Sequence, residues 1–123
     1  MKRILIVDDA KVMRATMTSM ITNFGYQVVG NAANGFEAVE EYKIHKPDLV
    51  TMDITMPDVN GVADGINAVK LIKEYDKNAI IIMVTSHGEE DKVINAIRNG
   101  ASNYVLKPID KNKLKQVLSD LLD

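Results

Sequence analysis

Three aspartates, a threonine and a lysine carry most of the chemistry this sequence can offer. Asp8 and Asp9, Asp53, Thr85 and Lys107 each end or directly follow a short apolar run, with Ser86 beside Thr85 and Pro108 beside Lys107. If the fold brings these runs together, three carboxylates share one place. Uncompensated, they repel, and at least one would keep its proton above the usual carboxylate range. A bound divalent cation removes that conflict. The donor set holds no His and no Cys, so it suits a hard ion, Mg²⁺ or alternatively Mn²⁺, and not zinc. Mg²⁺ takes few carboxylates and keeps waters, which leaves room for a phosphoryl oxygen. Lys107 would add a second positive charge and Thr85 a hydroxyl donor, completing an electrostatic cradle for a transferring phosphoryl group. Asp8 and Asp9 are adjacent, so their side chains diverge and suit positions around a metal. Asp53 stands alone at a strand end and is assigned, by that geometry, as the covalent acceptor.

The elements that must position these residues follow from the apolar pattern. Short runs at Ile4–Val7, Val28–Val29 with Ala32–Ala33, Leu49–Met52, Ala79–Val84 and Tyr104–Leu106 are almost wholly apolar, as strands buried on both faces are. Helical stripes lie between them. They run through Met13, Met17, Met20 or Ile21, and Phe24; through Phe36, Val39 and Tyr42; through Ile66, Val69, Ile72 and Tyr75; through Val93, Ala96 and Ile97; and through Leu114, Val117, Leu118 and Leu121. Gly25 reads as a helix stop, as do His45-Lys46-Pro47 and Asn99-Gly100, and Asp110 reads as an N-cap. Strict β-α alternation with right-handed crossovers predicts an α/β, doubly wound, parallel sheet of five strands with five helices on both faces. In such a sheet the carboxyl ends of the strands share one edge, where ligands bind. The residues named above all fall on that edge.

Composition narrows the remaining classes. The chain has 123 residues, 46% apolar and 26% charged, which is one ordinary domain, 1–123, with enough apolar mass for a core. The 15 Lys and Arg are dispersed and balanced by 17 Asp and Glu, so no DNA-binding patch is expected. Absence of cysteine excludes a disulfide framework, a thiolate metal site and a Cys nucleophile. The N-terminal apolar run is cut short by Asp8-Asp9, so it reads as a strand and not a targeting segment, and no run approaches a membrane span. A cytoplasmic setting is expected.

The same residues resemble the response-regulator receiver family over essentially the whole chain. The matching segments are ILIVDDAKVMR at the start, DLVTMDITMP in the middle, IIMVTS after them and GASNYVLKP near the end. The chain resembles most the single-domain chemotaxis members. The resemblance implies a flavodoxin-like, CheY-like sheet of order 2-1-3-4-5. It implies Asp53 as phosphoacceptor, Asp8 and Asp9 as the acidic pair at the metal, and the backbone carbonyl of Thr55 as a further metal ligand. It also implies Thr85 as the switch hydroxyl, Lys107 as the phosphate-pairing lysine before a cis Lys107–Pro108 bond, and Tyr104 as an aromatic switch that turns inward.

A histidine kinase of the CheA type would then stand upstream and a flagellar motor switch protein or another protein target downstream. The chain would be a monomer, with dimerisation on phosphorylation left open, and would catalyse only its own phosphorylation and dephosphorylation. With no output domain after the last helix, docking is the expected output. A phosphorelay intermediate, or a receiver domain cut from a longer regulator, are the alternative readings.

Two departures from the family pattern stand out. Met56-Pro57 is followed by both Asn60-Gly61 and Asp64-Gly65, and spacing to the next helix favours Asp64-Gly65 as the family's Asp-Gly, making the loop about four residues longer than usual. Ile109 replaces a frequent Phe after Lys-Pro. His45 and His87 read as surface residues, with His87 near enough to Thr85 to tune acyl-phosphate hydrolysis. Two rival classes fit less well. A haloacid-dehalogenase-type phosphatase needs a second Asp where Thr55 stands. A flavodoxin-like FMN binder needs a Gly/Ser/Thr-rich loop where Asp8-Asp9-Ala10-Lys11 would repel phosphate.

Overall fold

A computed structural model describes all of residues 1–123. Five strands alternate with five helices: β1 Arg3–Val7, α1 Lys11–Asn23, β2 Gln27–Ala32, α2 Gly35–His45, β3 Leu49–Asp53, α3 Gly65–Tyr75, β4 Ile81–Ser86, α4 Glu90–Arg98, β5 Asn103–Lys107 and α5 Lys111–Leu122. Every strand pair is parallel, and the sheet order is β2-β1-β3-β4-β5. This is the order and class that the resemblance implies.

Side-chain alternation along the strands divides the core in two. Leu5 and Val7 of β1, Val50 and Met52 of β3, and Ile81 and Met83 of β4 pack with α2, α3 and α4. Ile4, Ile6, Leu49, Ile82 and Val84 point the other way and pack with Met17 and Ile21 of α1 and Leu114, Val117 and Leu118 of α5. Strands covered on both faces need apolar residues at every position, which is why these runs carry no polar alternation.

Several details differ from the sequence reading. β4 begins at Ile81 and continues through Ser86, so Thr85 and Ser86 lie in the strand and pair with Leu106 and Lys107 of β5. β2 is continuous across Gly30-Asn31, because a register shift opposite Ile4 and Leu5 absorbs Val29. Ile97 is 45% exposed and so falls outside the core stripe of α4. Ile109 packs against the α1–α5 layer.

The long loop after β3 folds on itself. Val59 and Val62 pair through their backbones, with Asn60 and Gly61 both at positive φ, the conformation that an Asn-Gly pair favours in a two-residue reverse turn. Val62 is buried against Gly35 at the start of α2. Asp64 then caps α3, its carboxylate accepting from the Asn67 N–H at 2.9 Å. The Asp64-Gly65 assignment is therefore the structural one, and the added residues are a packed turn.

Candidate functional site

The carboxyl ends of β1, β3, β4 and β5 meet at one edge and bring the candidate residues together. Asp8 is 1% exposed at the end of β1. One of its carboxylate oxygens accepts from the Ala10 N–H at 2.9 Å, a local turn that fixes the side chain. The other accepts from Lys107 Nζ at 2.9 Å. Arg14 of α1 donates to the Asp8 carbonyl at 2.7 Å and ties the first helix to this corner. Asp9 is exposed at the rim.

Asp53 ends β3 and is 6% exposed. The α3 start packs directly on it: the Gly65 N–H donates to the Ile54 carbonyl at 2.8 Å, and a Cβ at Gly65 would collide with the Asp53 carbonyl oxygen. Only glycine permits this approach. Lys107 Nζ lies 3.5 Å from Asp53 Oδ1. Burial, and then the charge of Asp8, push the Asp53 pKa up to about 7 against the opposing pull of Lys107. Burial also works against the Lys107 charge, but its hydrogen bond to Asp8 and the nearby carboxylates outweigh it and raise that pKa.

Carboxylate oxygens of Asp8, Asp9 and Asp53 lie within 4.8 Å of one another. The donor set is all hard oxygen, and Asp53 bears the unrelieved charge conflict that a small divalent cation removes, so the residues fit Mg²⁺. Thr55, two residues past Asp53, is exposed, and its hydroxyl donates to Glu89 Oε2 at 2.8 Å. Thr85 is fully buried, and its hydroxyl donates to Glu89 Oε1 at 2.9 Å. Tyr104 faces outward, 41% exposed, beside a cleft of about 360 Å³ lined by Thr85, Val93, Ile97 and Leu106 among others. His87 is exposed. Lys107–Pro108 is a cis bond.

One residue at this edge escapes the sequence reading. Glu89 accepts from Thr55, Thr85 and the Ser86 N–H. Its only sequence signal is an acidic residue before a helix, which is commonplace and points to no site.

Residues 4–119 match the profile of the response regulator receiver domain. The chain belongs to that family. Chemotaxis protein CheY of Thermotoga maritima is 48% identical over 96% of this receiver domain and 95% of its own length. CheY of Bacillus subtilis is 46% identical over 98% of each. Among solved structures, one chain of a CheX-CheY-BeF3-Mg complex from Borrelia burgdorferi superposes on the receiver domain with a TM-score of 0.89 at 38% identity, covering 99% of this chain and 90% of that one. No helix of the receiver domain is long and apolar enough to cross a membrane.

Proposed function

We propose that this chain is a phosphorylation switch in which Asp53 takes a phosphoryl group from a phosphohistidine of a CheA-type kinase. The observation that carries the reading is the meeting of the Asp8, Asp9 and Asp53 oxygens within 4.8 Å, with the Lys107 ammonium 3.5 Å from Asp53. Mg²⁺, when bound, would be held by Asp8, Asp9 and Asp53 with the Thr55 carbonyl, and would supply Lewis-acid neutralisation of the phosphoryl oxygens.

The chain's own residues do the rest. An Asp53 carboxylate oxygen attacks phosphorus, a new O–P bond forms, the N–P bond breaks, and the imidazole leaves with the electron pair and takes up a proton. Lys107 faces the charge that develops on the transferred group. Water later cleaves the acyl phosphate and returns carboxylate and inorganic phosphate. While the phosphate is present, the Thr85 hydroxyl and Lys107 turn to it, and Tyr104 moves into the cleft beside Thr85. That movement alters the face of α4, β5 and α5, where a protein target would dock.

The CheY relatives support a role in chemotaxis, and the Borrelia structure, with its BeF3 and Mg, supports the metal assignment. A cytoplasmic setting and the flagellar motor switch as target are part of the same proposal. The deciding test is intact mass after incubation with acetyl phosphate. One added phosphoryl group is expected, dependent on Mg²⁺ and absent from Asp53→Asn. An unmodified wild-type chain in the presence of Mg²⁺ overturns the proposal.

A further inference from the structure

The carboxylate of Glu89 is engaged by two threonine hydroxyls and a strand amide of the site, and not by the backbone amides of its own helix. It stands immediately before α4, yet its side chain makes no bond to the first-turn amides of that helix. It turns back instead. Oε1 receives the Thr85 hydroxyl at 2.9 Å and the Ser86 N–H at 3.2 Å, and Oε2 receives the Thr55 hydroxyl at 2.8 Å. Lys92 Nζ is 3.5 Å from Oε2. A carboxylate can only accept, so both threonines must be donating, and each has a single hydroxyl hydrogen to give. Thr85 therefore cannot donate to Glu89 and to an oxygen on Asp53 at the same time.

We infer that Glu89 is a latch, a positioning residue that holds the Thr85 hydroxyl away from Asp53 and ties the start of α4 to β4 until a phosphoryl group competes for that hydrogen. This rests on the phosphorylation reading above and adds what must be broken for the switch to move. The Glu89 backbone carbonyl opens α4 by accepting from the Val93 N–H at 3.0 Å, so release of the side chain frees the residue from which the helix begins. Val93, Ile97 and Tyr104 line the same cleft as Glu89. The event at Asp53 thus reaches the α4 face through one hydrogen-bond exchange, Glu89 for phosphoryl oxygen. Loss of the carboxylate removes the competitor and favours the phosphorylated arrangement, without loss of a helix cap.

The test titrates wild type, Glu89→Ala, Glu89→Gln and Asp53→Asn with beryllofluoride and Mg²⁺, beryllofluoride standing for the phosphoryl group on a carboxylate. Backbone amide spectra are recorded with and without ligand, and melting temperatures alongside. Glu89→Ala is expected to bind beryllofluoride tighter, by roughly tenfold for one charge-assisted hydrogen bond removed from the unliganded state. Its unliganded amide signals near Thr85, α4 and Tyr104 are expected to move part-way toward the liganded positions. Glu89→Gln, which still offers one acceptor oxygen, should fall between. Unchanged or weaker binding in Glu89→Ala overturns the latch, as does a lowered melting temperature with unliganded spectra that do not move. If the wild type binds no beryllofluoride, and so behaves as Asp53→Asn, the phosphorylation reading fails and the latch with it. Wild-type binding with an unresponsive Glu89→Ala sinks the latch alone.

Discussion

Lys107 holds Asp8 more closely than Asp53: its ammonium is 2.9 Å from Asp8 Oδ2 and 3.5 Å from Asp53 Oδ1. The lysine thus neutralises the more deeply buried carboxylate. Removal of Lys107 leaves Asp8, 1% exposed, without its cation. Lys107→Met should lower stability by about 2 kcal/mol, less than for a fully buried pair because the lysine side chain is itself 21% exposed. Urea denaturation with and without millimolar Mg²⁺ checks this. The metal should restore part of the loss, since it can take over the neutralising role.

Asp53 makes stability depend on pH. Its pKa rises from 3.8 to about 7 on folding. The folded state therefore binds the proton better, and its advantage is full below the lower value and lost as pH rises through the higher one. In the metal-free protein the cost at pH 8 is at most ~4 kcal/mol. Asp53→Asn escapes it. Its melting temperature in EDTA should exceed that of wild type at pH 8, with a gap that narrows toward pH 5. Saturating Mg²⁺ should narrow the gap at pH 8 by binding the wild-type native state. A gap independent of pH refutes the assignment.

Gly65 sets how near α3 comes to Asp53. Gly65→Ala forces backbone apart at Asp53 and should cost about 3 kcal/mol. It should also slow acetyl-phosphate labelling, because Asp53 shifts from its neighbours. Thermal unfolding and mass spectrometry together separate this from simple instability.

Thr51 is fully buried in β3, and its hydroxyl has no hydrogen-bond partner. Thr51→Val keeps the shape and removes the unpaired group, so a gain of about 1 kcal/mol is expected. Labelling of Asp53 should be unchanged, and an unaltered denaturation midpoint would contradict the account.

Most of the frame was legible because parallel strands buried on both faces leave an unbroken apolar signature, and because helix stops and caps such as Asp110 act through local bonds. Asp8, Asp53 and Lys107 could be placed at one edge since each closes its own strand. The Asp64-Gly65 choice was legible from spacing alone. Glu89 was not. Its partners, Thr55 and Thr85, are joined to it only after the turn at Gly88 folds the chain back, and nothing in the local pattern announces that. The end of β4 was misplaced for a related reason: Ser86 is polar and exposed, yet it pairs with Lys107. Strand pairing is a property of the neighbour as much as of the residue.

The all-parallel sheet has a practical corollary. Every chemically active group stands on the rim where strands finish, while the turns that lead into the strands, around Gly25, Pro47, Asn78 and Gly100, lie on the opposite rim. That far rim is the place for a fluorescent label, an affinity tag or a circular permutation that must leave signalling untouched. Of the two rims, it is also the freer to diverge among copies of this domain serving different outputs.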